Sequence, residues 1–314
     1  WKTKMFFKKI LIFLTFVVLI NNNFSYGFEI KIKAEIDNII ITNIDIENEK
    51  KYLIFLNSKL RELNQIDLDK VAKESLIREV IKEKELKKFF DTNIKYKLVD
   101  KIEQNLLLKK NLKKNELIDL LEINNMDYEQ IRKKLRIEAL WNQLIYKKYI
   151  KNIKIDEVLL KKRILDQFSK TEKKYEYNLS EIVFEQKLDE SYETTIKIID
   201  ESIKNVGFEN TANILSISNS SKNGGLIGWV NELQISKEIN NKLKELNINE
   251  VTKPIKIPNG YLLIKVNDKK ELTQELDIEK ELKNLIDYET NNQLNNFSII
   301  FYKRLKQNTE INEY

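Results

Sequence analysis

Near the start of the chain, apolar and charged residues alternate. Residues 30–36 (IKIKAEI) place an apolar side chain at every second position, which is the period of a half-buried β-strand. Asp37 and Asn38 can turn the chain back onto a short second strand at residues 39–41. The pattern therefore predicts a hairpin, followed by a helix that Asn43 caps.

Helical spacing takes over after the hairpin. Residues 28–206, a stretch of 179, contain neither glycine nor proline, so few tight turns are available there. Ile77, Val80 and Ile81 share one helical face, as side chains that point into a core do. We therefore expect a mainly helical N-terminal domain over residues 28–170.

A different order of elements begins near residue 174. Residues 177–184 have the composition of a strand, and the apolar spacing after them predicts a helix that Gly207 ends as a left-handed cap. The elements expected next are a Ser/Asn/Gly loop with Gly228-Trp229-Val230 after it, a helix through Ile239 and Leu243, a strand at residues 251–257, a turn at Pro258-Asn259-Gly260 and a strand at residues 261–266. Together they predict one small α+β domain over residues 174–270.

The last part of the chain has one long helical stripe. Apolar residues recur at helical spacing from Ile278 to Leu305. Such a helix must bury its apolar face, and the N-terminal helices are the available partner. We expect residues 271–314 to form a C-terminal helix that packs on the N-terminal domain, in a fold of the α+β class.

The first 27 residues have the features of an export signal. Lys8 and Lys9 precede a run at positions 10–20 in which every residue except Thr15 is apolar, and the small residues Ser25 and Gly27 follow. This order is typical of a cleavable signal peptide, so we expect cleavage after Gly27. Retention as a membrane anchor is the alternative, although a spanning helix needs about 20 apolar residues.

Two absent residue types limit the chemistry. The chain of 314 residues has neither cysteine nor histidine, which excludes disulfides, thiolate or imidazole metal ligands, and Ser-His-Asp or Cys-His catalysis. No cofactor is expected. Of 55 basic residues, four lysines belong to the first 27 residues, so 51 basic residues face 49 acidic ones in the rest of the chain. That balance lacks the one-sided positive charge that nucleic-acid binding requires.

Three short motifs stand out in the second domain. They are Gly224-Gly225-Leu226-Ile227-Gly228-Trp229-Val230, Glu250-Val251-Thr252-Lys253-Pro254 and Asn259-Gly260-Tyr261-Leu262-Leu263-Ile264. In order and spacing they resemble the G-G-x-L-G-W, G-x-[VI]-S-x-P and G-[YW]-H-[IL]-I motifs of parvulin-type peptidyl-prolyl isomerases. The resemblance implies a parvulin-like fold for residues 174–270.

Two segments of the N-terminal domain carry a second resemblance. Residues 34–45 and Leu76-Ile77-Arg78 are similar to the entry strand and an early helix of SurA-type periplasmic chaperones. The likeness extends over residues 30–305, with room for one parvulin domain. It implies a periplasmic location without stable membrane insertion, and partners that are unfolded outer-membrane proteins or other extended polypeptides.

The chain departs from the parvulin pattern at the catalytic positions. Active parvulins have a histidine in the first strand, another in the last, and a Cys or Asp between them. Glu181 and Leu262 stand at the histidine positions here, and either Ser218 or Asn219 stands at the third. Leucine cannot form hydrogen bonds, and an ionised glutamate only accepts them. We therefore assign no catalytic residue and expect at best a weak isomerase.

The resemblance also implies a binding site for substrate polypeptides. The family's prolyl pocket falls on Ile227, Ile235 and Ile239, and Trp229 is a further candidate. The spacing of Ile235 and Ile239, one helical turn apart, fits core packing equally well. The sequence favours a chaperone that binds unfolded outer-membrane proteins over an active isomerase that assists periplasmic folding; a membrane-tethered foldase is a third possibility if residues 6–20 are retained.

Overall fold

Helices and short strands follow one another in the computed structural model, which describes residues 29–91, 97–168, 174–186, 190–258, 260–272 and 277–314. The helices are α1 (Asn43–Leu56), α2 (Gln65–Leu86), α3 (Lys97–Lys110), α4 (Lys114–Ile123), α5 (Tyr128–Tyr149), α6 (Glu157–Phe168), α7 (Tyr192–Leu215), α8 (Lys237–Lys244) and α9 (Ile278–Gln307). The strands are β1 (Ile32–Ile36), β2 (Ile39–Thr42), β3 (Tyr175–Phe184), β4 (Leu226–Asn231), β5 (Ile255–Ile257), β6 (Gly260–Glu271) and β7 (Ile311–Glu313). The predicted signal peptide, residues 1–27, lies outside the described residues, as does Asn259 of the predicted turn.

The predicted N-terminal hairpin is present and gains a third strand. β1 pairs antiparallel with β2 on one side and with β7 on the other. In β7, Ile311 is opposite Ile36, so the end of the chain returns to its first strand. The next helix begins at Asn43, but its cap is Thr42, whose hydroxyl accepts from the Asp45 backbone N–H. The prediction of Asn43 as the cap was wrong by one residue, because Thr42 and Asp45 form a reciprocal capping box.

The helices α1 to α5 enclose the first apolar core together with β1 and β2. Each element contributes buried side chains, among them Ile36, Ile41, Leu53, Ile77, Val99, Leu121 and Leu135. Two ion pairs have buried carboxylates beside this core: Lys134 Nζ lies 2.6 Å from Glu49 Oε2, and Arg132 pairs with Glu103. The core confirms that the first part of the chain is mainly helical.

The long C-terminal helix α9 packs on these helices, as the apolar stripe predicts. Trp141 of α5 is fully buried, donates its Nε1–H to Ser298 Oγ at 2.8 Å, and stacks on Phe301 with ring centroids 5.5 Å apart. The first half of α9 packs on α6 through the cluster Leu160, Ile164, Leu282 and Leu285. Helices, a helical core and two small sheets together confirm the α+β class.

The second sheet has the strand order β4-β3-β6-β5, with antiparallel neighbours throughout. α7 was expected to end at Gly207, but the chain continues to Leu215 with a kink at Gly207, where φ is 82° and ψ is 166°. The helix resumes because Phe208 and Ala212 bury their side chains against this sheet. The strand expected at residues 251–257 is reduced to β5 and an isolated bridge at Val251.

Candidate polypeptide-binding site

The two faces of the sheet β4-β3-β6-β5 have different surroundings. Because side chains alternate along a strand, Tyr177, Leu179 and Val183 of β3 point to one face, where they pack with Ile235. Ile182 points to the other face and packs under α7. We call the first of these the cleft face, because it holds Ile235 from the predicted prolyl pocket.

Glu181 lies on the cleft face by the same alternation. Its carboxylate accepts hydrogen bonds from the hydroxyls of Ser218 at 2.5 Å and Ser220 at 2.9 Å. Ser218 is therefore the residue that faces Glu181 at the third family position. Asn219 points elsewhere and donates from Nδ2 to the side chain of Asn295 on α9 at 2.6 Å.

Leu262 is a neighbour of Glu181 on this face. In the pairing of β3 with β6, Val183 is opposite Leu262 and Glu181 is opposite Ile264, which makes Glu181 and Leu262 diagonal neighbours. Leu262 is buried in the apolar cluster of the cleft face. The positions that the family resemblance selected thus meet in space, as a carboxylate beside an aliphatic side chain.

Gly225 brings the serine-containing loop against β3. Its φ is +76°, and a Cβ there would lie 2.1 Å from the Glu181 carbonyl oxygen. The Glu181 N–H also donates to the Gly225 carbonyl at 2.8 Å. Only glycine permits this approach at this φ.

Ile235 and Ile239 lie together on the cleft face and are already in contact with other parts of the chain. Ile235 is buried in the apolar cluster, and the half-buried Ile239 packs against it. Tyr288 of α9 packs against the same cluster. Burial raises the pKa of Tyr288, and the nearby negative charge of Glu181 raises it further. An aromatic ring from the C-terminal helix therefore lies over this part of the sheet.

Trp229 lies on the opposite face from Ile235. It is opposite Asn178 in the pairing of β4 with β3, whereas the next residue, Val230, is opposite Tyr177. Trp229 is 45% exposed, and Lys270 Nζ stands 4.4 Å from the centroid of its ring. The structure therefore separates Trp229 from Ile235 and Ile239.

Ile227 lies at a bulge in β4. Leu179 is opposite Gly228 and Ser180 is opposite Leu226, so Ile227 is the extra residue between them. β4 is an edge strand of its sheet, and Leu226 and Ile227 are 50% and 41% exposed. We call the exposed side chains of Leu226, Ile227 and Trp229 the β4 edge.

The groups on the cleft face limit its chemistry. The serine hydroxyls donate to Glu181, so the carboxylate has two of its acceptor sites engaged, and Leu262 offers neither a donor nor an acceptor. Within the described residues, no group of three or more acidic side chains could hold a metal ion. Sequence reasoning missed Ser220 and Tyr288: Ser220 follows Ser218 by two residues in a turn, which was a local signal, whereas Tyr288 comes from a distant helix.

The part of the chain that contains this site matches a known protein family. Residues 177–268 match the family described as Rotamase: PPIC-type PPIASE domain. They form a PPIC-type domain. The resemblance of the three motifs to parvulins is thereby confirmed, and the domain includes β3, the β4 edge, Ile235, Ile239 and Leu262.

Curated relatives carry the name Chaperone SurA. The protein from Pseudomonas putida is 21% identical over 154 residues, which is 47% of this chain and 36% of the relative. The one from Pseudomonas syringae pv. tomato is 23% identical over the same length and shares. The match thus spans about a third of the length of these relatives.

Two solved structures align with most of this chain, at low sequence identity and low TM-score. A structure reported for the SurA-like chaperones PEB4 and Cj1289 of Campylobacter jejuni is 18% identical, with a TM-score of 0.36 and coverage of 90% of this chain and 98% of that one. The peptidylprolyl isomerase PrsA of Bacillus anthracis is 18% identical, with a TM-score of 0.31 and coverage of 76% and 98%. In the part of this chain that is described, no helix is both long and apolar enough to cross a bilayer.

Proposed function

We propose that this chain is an exported chaperone of the periplasm that binds unfolded outer-membrane proteins without ATP, and that its PPIC-type domain has little or no isomerase activity. Residues 28–170 and 271–314 would form its helical chaperone domain, and residues 174–270 its parvulin-like domain. The similarity to Chaperone SurA over 154 residues supports the proposal. So does the signal-like pattern of residues 1–27.

The observation that carries the proposal is the β4 edge. Leu226, Ile227 and Trp229 expose 50%, 41% and 45% of their surface on one strand, and that strand has a sheet partner on one side only among the described residues. An edge strand presents unpaired backbone N–H and C=O groups to solvent. Apolar side chains on such an edge suit an added strand from another polypeptide.

Unfolded outer-membrane proteins have the matching chemistry. Their transmembrane strands carry apolar residues at every second position and can pair by backbone hydrogen bonds. An extended peptide that adds to a sheet edge gains affinity from its main-chain hydrogen bonds, and pockets for its alternate side chains would supply any selectivity. Binding of this kind is loose and needs no nucleotide for release.

Weak isomerase activity follows from the cleft face. The barrier to prolyl isomerisation is about 18–20 kcal/mol and arises from amide resonance. Lowering it requires groups that stabilise the twisted amide more than the planar one. The aliphatic Leu262 cannot do this, and Glu181 is an acceptor that two serines already engage.

The binding surface is tested by photo-crosslinking. A benzoylphenylalanine residue replaces Ile227 or Trp229 in the full mature chain, and a denatured outer-membrane porin is diluted into each variant. We expect porin adducts from both positions. Ile123 of α4, which is also exposed, is the matched control and should give much weaker adducts. Equal adducts from all three positions would contradict a client site at the β4 edge.

An active isomerase is the second candidate, and the hydrogen-bonded group of Glu181, Ser218 and Ser220 favours it. That group places polar atoms where active parvulins also have them. The cis-to-trans rate of a proline tetrapeptide, measured with the full mature chain, separates the two functions. A rate comparable with that of an active parvulin would establish the isomerase, whereas we expect a rate near the uncatalysed one.

The export signal is tested by N-terminal sequencing of the protein from cells. We expect the mature chain to begin at Phe28. A chain that still contains residues 6–20 would instead support the membrane-tethered foldase.

A further inference from the structure

The first half of α9 lies over the cleft face of the PPIC-type domain. Tyr288 packs against the apolar cluster that contains Ile235, and Ile239 packs against the same cluster. The ring is close enough to Glu181 for the carboxylate charge to act on its hydroxyl. An aromatic side chain of the chain itself thus packs on the apolar cluster to which Ile235 belongs.

Polar residues accompany Tyr288 on the face of α9 that is turned toward the PPIC-type domain. Tyr288, Asn292 and Asn295 recur at helical spacing and therefore share a face. The Tyr288 hydroxyl has a hydrogen bond with the Asn292 side chain. Asn295 accepts from Asn219, in the loop that also holds Ser218, at 2.6 Å. The helix therefore has a hydrogen bond to the loop whose serines engage Glu181.

Arg163 of α6 links the same helix to the cleft. Its Nη2 donates to the backbone carbonyl of Ile235, and its Nη1 stands 3.7 Å from Glu289 Oε1 on α9. Its Nε is buried and has no hydrogen-bond partner among the described residues. A buried donor without a partner destabilises the folded state, so this link is not fully stabilising.

The two halves of α9 are held by different interactions. The second half buries Phe301 against Trp141 and engages Ser298 in a buried hydrogen bond. The contacts of α9 with the PPIC-type domain are instead the half-buried Tyr288, the exposed pair Asn219–Asn295 and, through α6, the incompletely paired Arg163. Relative motion of two domains is expected unless the interface between them is large and apolar.

We propose that α9 carries an autoinhibitory contact, in which Tyr288 occupies the place of a client's proline or apolar side chain on the cleft face. A client segment reaches Ile235 and Ile239 only after the first half of α9 has moved away. The proposal rests on the proposed function, since it assumes that the PPIC-type domain binds polypeptide segments. The affinity of the closed protein is then the intrinsic affinity reduced by the fraction of molecules that are open.

The test compares two variants of Tyr288 in the full mature chain. The probe is a short fluorescein-labelled peptide with a proline between aromatic residues, and fluorescence anisotropy gives its dissociation constant. Tyr288→Ala removes the ring and should bind the peptide at least about fivefold more tightly than the unmodified chain, since it raises the open fraction. Tyr288→Phe keeps the ring and should bind as the unmodified chain does. Equal affinity of both variants, with folding verified by circular dichroism, overturns the proposal.

A crosslink provides a test that does not depend on the stability of Tyr288→Ala. The chain has no cysteine, so Asn219→Cys with Asn295→Cys offers a short bismaleimide its only two thiols. These positions are in contact in the closed arrangement. The crosslinked protein should bind the peptide at least about fivefold more weakly than the same variant before crosslinking. Unchanged binding after crosslinking overturns the proposal.

The outcomes separate this proposal from the proposed function. Capture of denatured porin with no gain from Tyr288→Ala would retain the chaperone and remove the autoinhibitory contact. A gain in peptide affinity from Tyr288→Ala, in a protein that does not capture porin, would retain the autoinhibitory contact and remove the chaperone function.

Discussion

At the scale of single residues, the candidate site is built by a backbone approach as much as by side chains. Gly225 comes within contact of the Glu181 carbonyl at a φ of +76°. This approach holds the loop that carries Ser218 and Ser220, whose hydroxyls donate to Glu181. The glycine motif that resembles the parvulin family therefore has a structural role that is independent of catalysis.

Substitution of Gly225 tests this role. In Gly225→Ala the new Cβ would lie 2.1 Å from the Glu181 carbonyl oxygen, so either the loop or β3 must shift. Gly228→Ala is the matched control, because its φ is also positive at +93° but a Cβ there would meet nothing within 4 Å. The positive φ alone costs about 1–2 kcal/mol.

We expect Gly225→Ala to lower the free energy of unfolding more than Gly228→Ala does, as measured by urea denaturation. Equal losses in the two variants would show that the close approach has no energetic weight.

At the scale of elements, α9 decides how the chain is assembled. Its second half packs on α5 through Phe301, which stacks on the buried Trp141. Its first half packs on α6 and lies over the PPIC-type domain. One helix of 30 residues therefore contacts both parts of the molecule.

Truncation of Phe301 measures the anchoring half of α9. Phe301→Ala should lower the free energy of unfolding by about 3–5 kcal/mol, since it leaves a cavity beside Trp141. Ile300→Ala, at the neighbouring position where the side chain is 50% exposed, should change it by less than about 0.5 kcal/mol. Urea denaturation gives both values. A loss of similar size in the two variants would mean that α9 is not anchored through Phe301.

The sequence predicted elements with local signals and missed those that depend on distant contacts. The absence of glycine and proline from residues 28–206 indicated the helices, and alternation indicated the hairpin of β1 and β2. β7 has only three residues and exists because it pairs with β1 at the other end of the chain. Likewise, nothing near Tyr288 in the sequence shows that it lies over the cleft face.

At the scale of the whole molecule, ion pairs join the PPIC-type domain to the helices. Glu138 of α5 pairs with Lys82 of α2 at 2.9 Å and with Lys222 of the PPIC-type domain at 2.6 Å. Burial acts to raise the pKa of Glu138, but the charges of Lys222 and Lys82 prevail and hold it well below its usual range. Burial lowers the pKa of Lys82 to about 8, although Glu138 opposes that change. The junction formed by Lys82, Glu138 and Lys222 therefore contains a buried lysine whose charged form is destabilised.

The pH dependence of stability tests this junction. Because the pKa of Lys82 is lower in the folded protein than its ordinary 10.5, the unfolded chain binds more protons between about pH 8 and 10.5, and folding becomes more favourable as the pH rises through this range. Lys82→Met lacks this gain. Between pH 7 and pH 10.5 the free energy of unfolding of the unmodified chain should therefore rise by up to about 3 kcal/mol more than that of the variant. A difference that is independent of pH in urea denaturation would contradict the burial of a charged Lys82.

The proposed function as a whole is tested most directly by light scattering from a denatured outer-membrane porin that is diluted out of urea. With an equimolar amount of the mature chain present and no nucleotide, we expect aggregation to be suppressed. Replacement of Ile227 and Trp229 by serine should restore much of the scattering. Aggregation that proceeds at the same rate with and without the protein would contradict a chaperone for unfolded outer-membrane proteins.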